Sequence, residues 1–177
     1  MPKAEALRAK QISALDANRL GALWSTLDQA MARAMEGPSA STAALLIWLQ
    51  HWAPAGVVEV ARVVGLSQPA CTRALDRLAE QGLIERTPAG KSVQIDLTAQ
   101  GRALARQLQK RRLDACASLL GALSPPEQQQ FAALADKLLQ RPVDSREYAR
   151  HVCRFCDHKV CDGPACPVGS RATELGC

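Results

Sequence analysis

Apolar residues recur every three or four positions along most of this 177-residue chain, a spacing that predicts amphipathic helices. A first helix is expected over about residues 10–35, and the following Gly37-Pro38 pair ends it. Ser39 or Ser41 can cap a second helix, which reaches about Trp52. The N-terminal part is therefore expected to be entirely helical.

The middle of the chain has the spacing of a helix-turn-helix unit. After a loop at residues 51–56, a short helix is expected at about Val57–Val64, and a longer helix follows Ser67. Ser67 can cap the longer helix, and the preceding Gly65 suits the turn between the two. The longer helix has a stripe of apolar residues at three- and four-residue steps, expected to be buried: Cys71, Ala74, Leu75 and Leu78.

A two-stranded ribbon follows this second helix. Gly82 ends the helix, and the first strand begins at Leu83. Over residues 92–97 polar and apolar residues alternate, which predicts a half-buried strand. Two helices, a tight turn and a hairpin in this order are typical of a winged helix. The predicted fold class is therefore mainly α (α+β).

Two more helices are expected after the ribbon. One runs from near Thr98 to about residue 120, and the next begins at Ser124, where Glu127 can reach back to the cap. The chain thereby divides into four regions: an N-terminal dimerisation helix (1–36), a winged helix-turn-helix (39–101), C-terminal dimerisation helices (102–146) and a cysteine-rich metal-binding tail (147–177).

The helices on either side of the winged unit have apolar stripes that this unit is too small to cover. Two arrangements stay open: pairing with the same helices of a second copy, or a monomer whose terminal helices fold back. We favour the homodimer, because isologous pairing is the commonest way to bury such stripes. It would place two reading helices on successive turns of DNA, which predicts an inverted-repeat operator.

Positive charge is concentrated on the expected reading unit. The net charge is +5, and residues 62–112 hold ten Lys or Arg against four Asp or Glu. Such localisation indicates a polyanionic partner, here double-stranded DNA. Arg73 and Arg77, four residues apart on the face opposite the apolar stripe, project in the same direction. A merely solvated helix face is the alternative, but the adjoining turn and hairpin favour DNA binding.

A resemblance to the MarR family of transcription regulators covers the reading helix, GLSQPACTRALDRLAEQGLI at residues 65–84. The segment LTAQG at residues 97–101 is similar to the family's junction between wing and helix. The resemblance implies a dimeric, mainly helical protein that represses, sometimes activates, promoters in response to a small molecule or an oxidant. It also implies that Thr72, Arg73 and Arg77 touch bases or phosphates, with Gln68 at the groove.

The ribbon departs from that family's pattern. Family wings commonly carry an Asp-x-Arg pattern at the tip, whereas this ribbon has Arg86 at its base and Lys91 at its tip. Lys91 is therefore expected to contact a phosphate rather than to read a base. The complete set of candidate DNA contacts is Ser67, Gln68, Thr72, Arg73, Arg77, Arg86 and Lys91.

Four cysteines of the tail have the spacing C-x2-C-x4-C-x4-C: Cys153, Cys156, Cys161 and Cys166. A zinc knuckle has this spacing with histidine at one position, and four thiolates can complete a tetrahedral Zn²⁺ site. Such a site has no open coordination position, so a structural metal is expected. An iron–sulfur cluster and a thiol switch that forms disulfides remain alternatives. His151 and His158 are expected to stay outside the ligand set.

Two functions remain open. The preferred one is a dimeric, sequence-specific DNA-binding regulator, a repressor, with a structural Zn(Cys)₄ tail. The alternative is a metal- or redox-responsive regulator in which the cysteine cluster is the sensor. An enzyme is not expected, because the three histidines have no evident nucleophile or acid–base partner.

Three tryptophans are expected to meet beneath the winged unit: Trp24, Trp48 and Trp52. The family resemblance implies an effector crevice at that place, and an ordinary core is the alternative. The longest apolar run, residues 43–49, is too short to span a membrane, and the N-terminus has no secretory apolar block. The protein is therefore expected in the cytoplasm, where its cysteines would stay reduced.

Overall fold

The computed structural model describes residues 13–90 and 92–177. Its helices in chain order are α1 (Ala14–Ala34), α2 (Ala40–Trp52), α3 (Val57–Val64), α4 (Gln68–Glu80), α5 (Ala99–Leu120), α6 (Pro125–Gln140), α7 (Arg146–Val152) and α8 (Pro167–Glu174). Its strands are β1 (Ala55–Gly56), β2 (Ile84–Ala89) and β3 (Ser92–Leu97). The mainly helical winged fold is as predicted.

The starts of α2, α4, α5 and α6 lie where the sequence placed them, because polar caps satisfy the free backbone N–H groups. The Ser39 hydroxyl, rather than that of Ser41, accepts from the N–H of Thr42 at 3.2 Å. At the start of α6, a Glu127 carboxylate oxygen accepts from the N–H of Ser124 at 2.8 Å. The first four residues of the predicted first helix, from Lys10, precede α1, and residues 10–12 lie outside the described residues.

The sheet has one strand more than predicted. Residues 51–56 were expected to form a loop, but Ala55 and Gly56 pair with Ile95 and Gln94 as an antiparallel strand. The strand order is β1-β3-β2, with β2 and β3 forming the wing hairpin. A strand of two residues has no periodicity to reveal it, since its pairing depends on residues some forty positions away.

Helix α2 is the centre of the main core. All seven residues of Ala43–Leu49 are buried, which explains why the sequence there is apolar on every side. Around it the largest fully buried side chains come from the helix-turn-helix, the sheet and α5: Val60, Val63, Leu75, Leu78, Ile95, Leu97 and Leu108. This core holds α4 against the body of the protein. We define residues 39–120 as the winged-helix body.

The tail is folded around a small core of its own. Helices α7 and α8 and two short 3₁₀ turns enclose a second small core of Val143, Ala149, Cys153, Cys166, Val168 and Ala172. Small residues suffice because two short helices pack closely, and two cysteines take the place of aliphatic side chains. We define residues 143–177 as the cysteine module.

Apolar side chains remain uncovered on α1, α5 and α6. Helices α1 and α6 contain no buried residue, although α1 packs along α5. The exposed side chains are Leu15, Leu20, Leu23, Trp24, Leu113, Leu120, Phe131, Leu134, Leu138 and Leu139. The fold-back arrangement therefore leaves these stripes open to solvent. None of the described helices combines the length and hydropathy of a membrane span.

Candidate nucleic-acid interface and cysteine cluster

Helix α4 is fixed by its caps and by its buried side. Gly65 ends α3 and begins the turn that leads to α4, and its φ of +78° favours glycine. Ser67 then caps α4 by accepting from the N–H of Ala70 at 3.4 Å, and Pro69 lies in the first turn. The four residues of the predicted buried stripe, Cys71, Ala74, Leu75 and Leu78, are all buried.

The opposite side of α4 faces solvent. Gln68, Thr72, Arg73 and Arg77 are all exposed, and the Thr72 hydroxyl donates to the Gln68 carbonyl at 3.0 Å. Within residues 13–90 and 92–177, the guanidinium groups of Arg73 and Arg77 form no hydrogen bond and no ion pair. Two guanidinium groups on one exposed helical face are thus free to bind an anion.

Arg86 differs from these two arginines because it is already paired. One of its guanidinium nitrogens lies 2.7 Å from a carboxylate oxygen of Asp76, which shares the exposed side of α4. The pair joins the base of the wing to α4. It also neutralises a carboxylate that would repel phosphates. The structure therefore gives Arg86, predicted as a direct DNA contact, a partner within the protein.

The remaining predicted contacts lie at the two ends of this surface. Ser67 is exposed at the start of α4 and uses its hydroxyl as the cap. In the wing, every β2 residue after Ile84 is exposed, and Gly90 makes the turn with a φ of +61°. Lys91 lies outside the described residues, so its predicted phosphate contact stays a prediction.

The four predicted metal ligands are brought together as free thiols. Hydrogen bonds link Cys153 to Cys156 and Cys166, and Cys161 to the same two residues. The bond from Cys153 and the nearby Arg112 guanidinium lower the pKa of Cys156 to about 6. Burial and its thiol neighbours raise the pKa of Cys161 to about 12, and the bond with Cys156, together with burial, also raises the pKa of Cys153.

The cluster has the donor set of a Zn(Cys)₄ site but not the finished geometry of one. Across the described parts of the chain, no three or more His, Cys, Asp or Glu side chains take positions that could jointly hold a metal ion. Cys153 and Cys161, whose pKa values are raised, would have to lose their protons to bind one. The residue types and their mutual proximity fit zinc.

The two module histidines have other neighbours. Nδ1 of His151 lies 2.8 Å from the carbonyl oxygen of Val63, at the end of α3. The ring of His158 makes edge contacts with the rings of His51 and Trp52, at centroid distances of 5.2 Å each. Sequence reasoning missed both contacts, because each joins segments about ninety or more residues apart with no shared periodicity.

The three tryptophans do not share a crevice. Trp24 is 66% exposed on α1, whereas Trp48 is 3% exposed in the main core. Trp52 lines a cavity of about 600 Å³ on the cysteine module, together with His158 and Cys161. A smaller cavity beside α4, lined by Arg77 and Leu104 among others, contains none of the three. The prediction of a joint tryptophan crevice is therefore not matched by their positions.

Comparisons with known proteins agree with this geometry. The family model described as MarR family matches residues 39–90. The YusO protein from Bacillus subtilis is 27% identical in sequence with a TM-score of 0.63, and the match covers 73% of this chain and 99% of that one. About a quarter of this chain lies outside that match.

Two structures of the MarR family protein Rv2887 from Mycobacterium tuberculosis also match, each at 26% identity. One is a complex with DNA, with a TM-score of 0.58 and coverage of 69% of this chain and 95% of that one. The other is a complex with p-aminosalicylic acid, with a TM-score of 0.56 and coverage of 69% and 96%. The first of these complexes shows a protein with a similar fold bound to DNA. Residues 39–90 of this chain are thus similar to the MarR family, and the winged helix fold is shared with these solved structures.

Proposed function

We propose that this protein is a dimeric, sequence-specific transcription regulator that binds duplex DNA through the exposed face of α4 and acts in the cytoplasm. The free guanidinium groups of Arg73 and Arg77, opposite a fully buried stripe, are the observation that carries the proposal. Arginine is the side chain best suited to bidentate contact with guanine and with phosphate. The DNA complex of Rv2887 supports the same use of the fold.

The dimer is proposed from the uncovered apolar stripes of α1, α5 and α6. Pairing of these helices with a second copy would bury side chains such as Leu20, Phe131 and Leu134, which the single chain leaves exposed. Two α4 helices would then meet an inverted repeat on one side of the duplex. We propose repression as the outcome, because a dimer seated on a promoter excludes other proteins from it.

The test begins with selection of a duplex from a randomised pool by the purified protein, followed by mobility-shift titration. Arg73→Ala and Arg77→Ala should each weaken binding to the selected duplex by about 5- to 150-fold, the equivalent of about 1–3 kcal/mol for a base-reading arginine. Lys137→Ala is the matched control, because it removes an exposed cation from α6. If no duplex is enriched, or both arginine variants bind like the control, the proposal fails.

A small-molecule effector is proposed on the strength of the Rv2887 complex with p-aminosalicylic acid. We do not place it at the three tryptophans, because their positions give no common pocket. Release of the selected duplex by p-aminosalicylate in the same titration would support the proposal. Unchanged affinity for the duplex in the presence of p-aminosalicylate would exclude this compound as an effector.

We propose that the cysteine module binds one structural zinc ion per chain through Cys153, Cys156, Cys161 and Cys166. The proximity of four reduced thiols supports this, as does their spacing. Bound zinc would cross-link the module through these four thiolates, and such binding is worth roughly 10–16 kcal/mol in zinc-finger peptides. The small core of the module, with two cysteines among its six buried residues, contributes little stability, so such a cross-link would add a large share of it.

Metal analysis of the purified protein distinguishes the cluster types. One zinc per chain with a colourless solution supports the proposal. Visible absorbance with bound iron would instead indicate an iron–sulfur cluster, and a metal-free protein that forms disulfides on oxidation would indicate a thiol switch. Cys153→Ser should abolish metal binding, whereas Cys177→Ser, which removes an exposed thiol outside the cluster, should not.

A further inference from the structure

The cysteine module rests directly on the first helix of the helix-turn-helix. Helix α7 packs against α3, and two ion pairs cross the contact. Arg150 lies 3.1 Å from a Glu59 carboxylate oxygen, and Arg62 lies 3.6 Å from one of Glu147. Exposed pairs of this kind add little stability. They nevertheless fix where α7 lies along α3, because each helix provides one arginine and one glutamate to the two pairs.

His151 makes the central contact. Its Nδ1–H donates to the Val63 carbonyl oxygen at 2.8 Å, one of the last-turn carbonyls that a helix cannot satisfy from within. The imidazole thus acts as a side-chain cap at the end of α3. Such a cap limits fraying of the last turn, which leads directly into the turn before α4.

The turn is shaped to receive this ring. A methyl group on Gly65 would lie 2.8 Å from Cε1 of His151, closer than carbon atoms can approach. Gly65 is therefore required twice, once for its φ of +78° and once for the space that the imidazole fills. The cysteine module and the helix-turn-helix thus meet at the residue that sets the direction from α3 to α4.

The same stretch of chain leads without interruption into the thiol cluster. Cys153, the first cluster thiol, comes two residues after His151 and begins a 3₁₀ turn that packs against α2. Phe155 closes that turn against the main core. Its ring lies 5.8 Å from the Arg112 guanidinium, and its carbonyl accepts from Arg112 at 3.3 Å. The cluster is therefore held between the helix-turn-helix and the core.

We infer that His151 is a positioning residue for DNA binding, through which an ordered cysteine module fixes the turn before α4. The inference rests on the proposed function, since it concerns the affinity of α4 for DNA. With the turn held, α4 is ordered before it meets the groove, so less conformational entropy is lost on binding. Release of the module from α3 lowers the population of the binding-competent arrangement and weakens the complex.

The experiment compares affinities for the selected duplex, with zinc content measured on each protein. His151→Ala should bind about 10-fold more weakly while keeping its zinc, because the competent population falls to about a tenth. His151→Asn should recover most of that loss, since its amide N–H can donate where Nδ1–H does. His158→Ala is the matched control, an imidazole of the same module whose ring contacts lie away from α3.

Chelation supplies the coupling measurement. Chelated wild-type protein should fall to the affinity of His151→Ala, and chelation of His151→Ala should change its affinity little, because both changes release the same contact. Equal affinities of His151→Ala and wild type for the selected duplex overturn the inference. So does a full additional loss when the variant is chelated, or a failure of His151→Asn to recover. Absence of any enriched duplex would instead overturn the proposed function.

Discussion

The winged-helix body and the cysteine module are built on opposite kinds of core. The body buries long aliphatic side chains completely, for example Leu45, Leu46 and Ile47 on one turn of α2. The module buries only valine, alanine and cysteine. Full burial of a Leu or Ile contributes about 1.5–3 kcal/mol, and smaller side chains contribute less in proportion to their area. The body can therefore stabilise itself, whereas the module depends on docking and on its thiols.

The two regions differ in how firmly their own cores hold them. The body keeps the DNA-reading face in place under any condition in which the protein is folded. The module has little burial of its own, so on the proposed function it is the part whose order would respond to metal or to oxidation. Its contact with α3 would carry that response to the proposed DNA-binding face of α4.

The largest expected effect tests whether the body is self-sufficient. Leu75, on the inner side of α4, is completely buried. Leu75→Ala should lower the free energy of unfolding by about 2–5 kcal/mol through lost burial and the cavity left behind. The loss should be the same with and without a chelator, as measured by denaturant titration of the helical circular dichroism signal. A loss that disappears on chelation would mean that the metal, rather than this core, holds the body.

The next effect tests the dependence of the module on its cluster. Chelation, or the Cys153→Ser variant, should accelerate amide hydrogen exchange in α7 and α8 by about 100-fold, equivalent to roughly 2.7 kcal/mol of local stability. Exchange in α2 should change much less, because its surroundings are aliphatic. Equal acceleration in both regions would show that the two cores unfold as one unit and would remove the contrast between them.

Prediction from the sequence succeeded where the determinants were local. The Ser67 cap, the Gly65 turn and the apolar stripe of α4 lie within fifteen residues of one another, and each has its own signature. The structure of the cysteine module was not predicted from such local signatures. Its helix α8 begins at a Cys-Pro pair, where the Cys166 thiol accepts from the N–H of Gly169 at 3.2 Å. A cysteine pattern that suggests metal ligands thus conceals a helix cap.

The site was predictable to the same limited extent. The exposed position of Arg73 and Arg77 follows from helical periodicity alone. Two other contacts depend on how separate segments pack together: the ion pair of Arg86 with Asp76 and the hydrogen bond from His151 to the Val63 carbonyl. The spacing of residues within one segment carries no information about such a contact. Contacts between distant segments therefore could not be predicted from the sequence pattern.

A smaller effect concerns the reading face itself. Arg86→Gln should weaken binding to the selected duplex by about 5-fold, because Asp76 is then left unneutralised beside the phosphates; half-exposed pairs of this kind are worth up to about 1 kcal/mol. The double variant Asp76→Asn with Arg86→Gln should recover most of the affinity. If the double variant stays as weak as the single one, Arg86 contacts DNA directly, as the sequence first suggested.

The smallest effect lies where the two regions touch. His51, on α2 of the body, bonds to Gln109 and faces His158, Asp157 and Lys159 of the module. Burial is the main reason that the pKa of His51 is lowered from 6.5; His158 and Lys159 lower it further, while Gln109 and Asp157 oppose the shift. The unfolded chain then takes up the proton first as pH falls, so stability should decrease below about pH 6.5.

The free energy of unfolding of the wild type should therefore fall more between pH 7 and pH 5 than that of His51→Gln, which keeps a polar side chain but cannot titrate in this range. His158→Ala should lie between the two, because it removes one of the positive charges that disfavour protonation of His51. Parallel pH profiles for wild type and His51→Gln would assign the acid sensitivity to other groups. The contact of His51 with the module would then contribute nothing to the acid sensitivity of the fold.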